Sequence, residues 1–247
     1  TLAECITDIA GYFDLEQEQI KDILSNYIEN PQRIFIEKTY RNPQELIDIA
    51  GSFIMKNPKQ IRKSLKSPKN LKKPVKIIYP QKNPIEKREM IYNLIKDLSE
   101  KSDDVLILGR TNNNINQFIK HRNLVKKGNL KKDKFLRILD KTDKSMNNVY
   151  YRTLHSSKGL EADNVIIINM VDDYLGFPSK LKTHSVLNYV NTRNYDYKYS
   201  EERRLFYVGL TRSKNNVYLI SDKNNPSEFI EELMDDSLEN LEIIEYN

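Results

Sequence analysis

The feature that most constrains this chain is the near-continuous apolar run Val105–Leu108. A strand with water on one face alternates apolar and polar residues, whereas a strand covered on both faces is apolar throughout. The run is also far shorter than the roughly 20 residues that a membrane span needs. The sequence therefore predicts a strand buried inside a parallel sheet.

Further short apolar segments alternate with amphipathic ones along the chain. The predicted strands are 33–37, Val75–Tyr79, Val105–Leu108, Val149–Leu154, Val165–Ile168 and Val217–Ile220. The predicted helices are 1–30, Pro43–Met55, Ile85–Leu98, Ile115–Val125, Ser200–Leu210 and Phe229–Met234. Residues 61–74 are predicted to form a loop, and residues 126–148 are basic and predicted to be irregular. Such alternation is typical of an α/β fold, with a mostly parallel sheet flanked by helices.

Composition limits the class of protein only loosely. The chain has 247 residues, of which 38% are hydrophobic, which is enough for a substantial core. Its net charge of +5 favours polyanionic partners, although lysines that merely solvate the surface explain it equally well. No signal peptide or membrane span is apparent, and the single Cys5 fits a reducing compartment. We therefore expect a cytoplasmic protein that does not contact membranes.

Two kinds of site are missing from the sequence. None of the seven glycines is followed by Lys, so the chain has no phosphate-binding loop and should not hydrolyse ATP alone. Asp172 and Asp173 follow an apolar strand as a magnesium-binding pair does, but they have no such loop to serve. The three histidines and Cys5 lack the spacing of metal ligands, so no metal site is predicted.

Two segments carry residues suited to chemistry. Thr153–Glu161 joins two predicted strands and contains hydroxyls, His155, Lys158 and Gly159, which can bind a phosphodiester or a nucleotide. Glu201–Arg212 reads as a buried helix that ends in an arginine. On their own, these segments are better explained as a polar turn and as a helix with a surface arginine at its C-terminus.

Together the two segments resemble motifs V and VI of the UvrD/Rep/PcrA-type superfamily 1 DNA helicases. The family patterns T-L-H-x-x-K-G-L-E and E-E-R-R-L-x-Y-V-x-x-T-R stand almost intact at 153–161 and 201–212. Weaker similarities extend over residues 33–222. Tyr40-Arg41 is similar to motif IV, with Thr39 where Asn is usual. Val105–Asn112 is similar to motif IVa, and Leu175–Pro178 is similar to the turn after motif V.

The resemblance implies a RecA-like helicase C-terminal domain (the 2A type) over residues 33–247. Residues 1–32 would be a helical extension that continues from an N-terminal motor domain absent from this chain. In the family, a large 2B domain is inserted between motifs IVa and V. The basic segment 126–148 stands there instead and is too short to hold it.

The resemblance also implies roles for single residues. ATP would bind between this domain and its N-terminal RecA-like partner, which would also hold the Mg²⁺, so that this chain ligates no metal. Arg212 and Arg41 would be catalytic, at the γ-phosphate. Four residues would contact ATP: Gly159, Glu161, Arg212 and Arg41. Four more would bind single-stranded DNA: Thr153, His155, Ser156 and Arg110. Movement along DNA would run 3′ to 5′.

Two alternatives to an ATP-dependent helicase motor domain remain at this stage. The chain could be a non-enzymatic module that binds single-stranded nucleic acid and derives from a helicase. It could also be a self-contained enzyme that uses Asp172 and Asp173 with an unrecognised phosphate site.

Overall fold

A computed structural model describes residues 37–58, 60, 64–101, 104–118, 123–127, 136–141, 148–180 and 197–246. The predicted helical segment 1–32, and all but the last residue of the predicted strand 33–37, lie outside these residues. Among the described residues, no helix is both long enough and apolar enough to cross a membrane.

The described part contains helices and strands that largely alternate. The helices are α1 (Gln44–Met55), α2 (Pro84–Glu100), α3 (Asn114–Phe118), α4 (Ser200–Leu210) and α5 (Glu228–Ser237). The strands are β1 (Val75–Tyr79), β2 (Val105–Gly109), β3 (Leu124–Lys127), β4 (Leu136–Asp140), β5 (Val149–Thr153), β6 (Asn164–Met170), β7 (Val217–Ser221) and β8 (Leu241–Glu245). Short 3₁₀ turns occupy His155–Ser157 and Leu238–Asn240.

The described strands form one sheet in the order β3-β4-β5-β2-β6-β7-β1-β8. Neighbours from β5 to β8 pair in parallel, and β4 pairs antiparallel with both β3 and β5. The predicted α/β class with a mostly parallel sheet is therefore confirmed. Strand β2 lies between β5 and β6 and is buried along its whole length, as its apolar run predicts.

Each central strand sends alternate side chains to two cores, because successive residues point to opposite faces of a sheet. Leu106 and Leu108 enter the core under α1, α4 and α5, which includes Phe53, Phe206 and Phe229. Val105 and Ile107 enter the core under α2. Helices thus cover both faces, and the carboxyl ends of the parallel strands share one edge of the sheet.

Two sequence predictions in the middle of the chain are wrong. Of the helix predicted over Ile115–Val125, the described residues Asn114–Phe118 are helical, whereas residues 124–127 form strand β3 instead. Residues 136–140, predicted to be irregular, form β4, which pairs with β3 as an antiparallel hairpin. The apolar residues there are too few to distinguish a helix from a strand by their spacing, and pairing with the β5 edge decides the outcome.

The remaining differences are smaller. Strand β8 is absent from the predictions; it pairs with β1, which lies far from it in the sequence. Helix α4 has the predicted range. Serine favours the capping position of a helix, but Ser200 is the first helical residue here and Tyr199, with φ of 56°, is the cap. Gly209 packs closely against the residues beside this helix. A Cβ there would lie 2.7 Å from Leu154 Cδ2.

Candidate functional site

The polar residues of interest lie at the carboxyl edge of the sheet. Strands β2 and β5 end side by side, with Gly109 opposite Thr153, and Leu154 N–H donates to the Gly109 carbonyl at 2.9 Å. The loop 154–161 then leads toward β6. Ligands of open α/β sheets bind beyond the carboxyl ends of strands, so a ligand site is expected at this edge of the sheet.

A cleft of about 550 Å³ opens beside this loop. We call it the cation cleft, because four of its seven lining residues are basic. The basic residues are Lys38, Arg41, Lys69 and Lys214, and the others are Thr39, Tyr40 and Glu161. Glu161 lies between two of the cations, with Arg41 Nε at 2.9 Å and Lys214 Nζ at 3.3 Å from its carboxylate oxygens. The cleft therefore carries excess positive charge and is suited to an anionic ligand.

The pKa of Glu161 reflects this setting. Partial burial by itself raises the pKa of the carboxyl group, but the hydrogen bond from Lys214 and the charge of Arg41 outweigh it. The pKa of Glu161 consequently lies below its ordinary value, and the carboxylate stays ionised at neutral pH.

A buried asparagine fixes the Arg41 segment to the end of α4. Asn42 is 6% exposed, and its amide donates to the carbonyls of Thr211 at 3.1 Å and Ser213 at 2.6 Å. Lys69 makes a second link, since its ammonium donates to the Lys214 carbonyl at 2.5 Å. Residues from distant parts of the chain are thus held together around the cation cleft.

Arg212 meets the same loop from another direction. Its Nη1 donates to the Leu160 carbonyl at 3.2 Å, and its Nε donates to the Val208 carbonyl at 3.0 Å. Gly159, just before Leu160, has a φ of 79°, which L side chains rarely adopt. The guanidinium groups of Arg41 and Arg212 therefore both contact the Leu160–Glu161 segment, although Arg212 is not among the residues that line the cation cleft.

The four residues predicted to bind DNA also lie together. Arg110 Nη1 is 3.4 Å from His155 Nδ1, and Thr153 Oγ1 is within 3.0 Å of Ser156 Oγ. We call Arg110, Thr153, His155 and Ser156 the Arg110 cluster. Of these, His155 and Ser156 are exposed, so the cluster can reach a ligand.

Two carboxylates accompany the Arg110 cluster, and sequence reasoning did not assign them. Glu202, 7% exposed, accepts from Arg110 Nη2 at 2.8 Å and from the Ser179 amide at 3.0 Å. Glu201 lies 3.7 Å from His155 Nε2, and its interaction with that ring is the main cause of the lowered pKa of Glu201. The acidic pair at the start of α4 predicted only a favourable helix N-terminus, because its partners lie far away in sequence.

The remaining acidic candidates have local partners. Asp172 forms an ion pair with Lys180 at 2.5 Å, and Asp173 Oδ1 accepts from the Tyr174 amide at 2.6 Å. Among the described residues, no group of three His, Cys, Asp or Glu side chains could hold a metal ion. Both of these acidic side chains are therefore engaged by groups close to them in the sequence.

Parts of the chain are similar in sequence to known proteins. Residues 120–224 match the family of UvrD-like helicase C-terminal domains. DNA helicase IV of Escherichia coli strain K12 is 26% identical over 200 residues, which are 81% of this chain and 26% of that protein. The ATP-dependent DNA helicase PcrA of Bacillus subtilis strain 168 is 33% identical over 99 residues, which are 36% of this chain and 12% of that protein.

A crystal structure of the C-terminal domain of a possible DNA helicase from Lactobacillus plantarum WCFS1 aligns with 85% of this chain and 99% of its own, at 13% identity and a TM-score of 0.48. Over residues 120–224 the chain is thus similar in sequence to the C-terminal domains of UvrD-like helicases. The chain spans only 26% of the length of DNA helicase IV and 12% of the length of PcrA.

Proposed function

We propose that this chain is the C-terminal motor domain of an ATP-dependent DNA helicase or translocase. It would act with an N-terminal RecA-like domain that supplies the phosphate-binding loop and the ligands of Mg²⁺. The observation that carries the proposal is the convergence of two guanidinium groups on one short segment. Arg41 contacts Glu161 at 2.9 Å, and Arg212 contacts the Leu160 carbonyl at 3.2 Å.

In this proposal the cation cleft is one wall of an ATP site, and the partner domain is the other. Arg41 and Arg212 would neutralise charge on the γ-phosphate as it is transferred, a task for which a permanently charged, forked donor is suited. Glu161 and the Gly159 backbone would approach the nucleotide. The ring of Tyr40, which is 71% exposed beside Arg41, can stack on a planar base.

Both arginines have to exchange partners for this to occur. Arg41 would leave Glu161 for phosphate, and Lys214 would stay 3.3 Å from that carboxylate and keep it paired. Arg212 would give up at least its hydrogen bond to the Leu160 carbonyl and donate to phosphate instead. For Arg212 this exchange is favourable once ATP is present, because an ionised phosphate is a stronger acceptor than a carbonyl.

The Arg110 cluster would hold single-stranded DNA through its phosphates, without reading sequence. The loop 154–161 begins at the Arg110 cluster and ends at the cation cleft. A change in nucleotide state at Glu161 can therefore alter the position of His155 and Ser156 through five or fewer intervening residues. That continuity would couple hydrolysis to movement along DNA, 3′ to 5′ by similarity with the family.

A nucleic-acid-binding module without ATPase activity is the second candidate. It is favoured by the bonds of Arg212 to the Val208 and Leu160 carbonyls, which are also what a purely structural arginine would make. The two candidates differ in whether the chain supports ATP turnover when a phosphate-binding domain is supplied.

ATP hydrolysis should be measured for residues 1–247 alone and for the same chain joined to a RecA-like domain with a phosphate-binding loop. We expect turnover stimulated by single-stranded DNA only in the joined protein, and its loss in the joined Arg41→Ala variant. Arg137→Ala is the matched control, because Arg137 lies on strand β4, next to the outer strand β3, and its guanidinium lies over the Tyr150 ring. Turnover that is unaffected by Arg41→Ala would contradict the proposal.

A further inference from the structure

A β-turn directly after strand β6 presents two large apolar side chains to solvent. The Gly176 amide donates to the Asp173 carbonyl at 2.9 Å, so Tyr174 and Leu175 are the central residues of the turn. Tyr174 is 68% exposed and Leu175 is 57% exposed. Two consecutive exposed residues of this kind at the functional edge of a sheet suggest a contact surface.

The turn is built rigidly, so this exposure is a fixed property of the fold. The Asn169 side chain donates to the Leu175 carbonyl at 2.7 Å. The Gly176 backbone approaches so closely that a Cβ there would lie 2.0 Å from the Val171 carbonyl oxygen. Directly after the turn, Phe177 is fully buried against other aromatic rings of the core. A contact surface held in this way loses little conformational entropy on binding.

A short chain of hydrogen bonds joins the turn to the Arg110 cluster. The Ser179 hydroxyl donates to the Tyr174 carbonyl at 3.4 Å, and the Ser179 amide donates to Glu202 at 3.0 Å. Glu202 is also the carboxylate that holds Arg110. The exposed ring of Tyr174 and the Arg110 guanidinium are thus tied to the same buried glutamate.

Electrostatics alone would hold a polynucleotide only weakly here. Arg110 is paired with Glu202 and Lys180 with Asp172, so two of the local cations are already largely neutralised. Attraction for phosphates scales with the number that the protein neutralises. Stacking on an aromatic ring needs no net charge, and it contributes about 1 to 3 kcal/mol per base.

We propose that Tyr174, supported by Leu175, is a stacking surface for the bases of the single strand that the Arg110 cluster holds by its phosphates. This inference rests on the proposed function, because it requires a nucleic acid at the Arg110 cluster. It adds a base contact that tolerates any sequence, since every base has a flat face that can stack.

The test compares two labelled ligands by fluorescence anisotropy, at equal salt, with residues 1–247. One is a dodecamer of thymidylate, and the other is a dodecamer of abasic residues with the same phosphates. We expect the wild type to bind the thymidylate strand about 5-fold or more tightly than the abasic strand. Tyr174→Ala should bring this ratio close to one, and Tyr174→Phe should preserve it.

Ile85→Ala is the matched control, because Ile85 is 69% exposed but lies at the start of helix α2. It should leave the ratio unchanged. A Tyr174→Leu variant, which keeps an apolar side chain at an exposed position, guards against a folding defect in Tyr174→Ala and should also lower the ratio.

The outcomes distinguish a failure of the stacking inference from a failure of the proposed DNA contact at the Arg110 cluster. If the wild type binds thymidylate and Tyr174→Ala keeps the wild-type ratio, the stacking inference is wrong and the proposed function stands. If Arg110→Ala leaves the affinity for both strands unchanged, or the wild type binds neither strand, then the proposed DNA contact itself is wrong and the inference falls with it.

Discussion

Asn42 is the residue whose replacement tests most sharply how the cation cleft is assembled. Its side chain is buried and donates to two backbone carbonyls, those of Thr211 and Ser213, at 3.1 and 2.6 Å. Asn42→Ala removes both donors and introduces no group of its own that needs a partner. The variant therefore isolates the link between the Arg41 segment and the end of helix α4.

The expected loss follows from the burial of the two carbonyls. The bond to Ser213 is buried, so its carbonyl would be left without a partner away from water, at a cost of about 1 to 3 kcal/mol. The bond to Thr211 is only partly buried, so water can replace it and the cost is about 1 kcal/mol. We expect Asn42→Ala to lower the free energy of unfolding by about 2 to 4 kcal/mol in total.

Thermal unfolding followed by circular dichroism measures this loss. For a chain of this size, each kcal/mol lowers Tm by about 2 to 4 °C, so we expect a decrease of about 5 to 15 °C. Asn112→Ala is the control, because Asn112 lies in an exposed turn, and it should change the free energy by no more than about 0.5 kcal/mol. A Tm for Asn42→Ala that matches the Asn112→Ala value would refute this account of how the cleft is held.

Three further predictions concern stability and are read from the same melting curves. Gly176→Ala should lower Tm more than any other single variant proposed, since its Cβ would lie 2.0 Å from the backbone oxygen of Val171; an unchanged Tm would show that the turn is not tight. Arg203→Ala should cost about 3 kcal/mol, because Arg203 is 3% exposed and pairs with Glu232 through both terminal nitrogens; a surface-like loss below about 0.5 kcal/mol would count against this. The pKa of Glu161 is lowered on folding, so its ion pairs stabilise the protein above its ordinary pKa of 4.5 and lose this effect as pH falls through the lower folded value. The Tm difference between wild type and Glu161→Gln should therefore shrink in acid, and a difference that grows there would contradict the assignment.

The local sequence pattern predicts those parts of the fold for which it is compatible with only one type of element. The Val105–Leu108 run and the Ser200–Leu210 helix are confirmed because uninterrupted apolarity and helical spacing leave few alternatives. The hairpin of β3 and β4 was predicted wrongly, and β8 was not predicted. Strand β8 forms because it pairs with β1, which is remote in sequence, and β3 and β4 form because they pair with each other and β4 pairs with β5. A short stretch of sequence contains no information about such pairing.

The candidate site divides in the same way. Residues within the two recognisable segments, such as Glu161 and Arg212, could be named in advance because the segments resemble a known family. Asn42 and Lys214 lie outside these segments and could not be assigned, since their importance lies in contacts with residues remote in sequence. Glu202 lies inside the second segment, but its role could not be assigned, because its partner Arg110 is 92 positions away. A signal was available for Lys214, which stands two residues after Arg212, but a lysine at the surface is too common to be informative.

The central claim is that Arg212 serves a triphosphate held by another domain. Its most direct test is the single-turnover rate of ATP hydrolysis, with bound ATP measured separately, in the chain joined to a RecA-like domain that carries a phosphate-binding loop. We expect Arg212→Ala to slow hydrolysis about 10³-fold or more while the affinity for ATP changes only a few-fold. Hydrolysis at the wild-type rate in Arg212→Ala, with ATP bound, would contradict the claim.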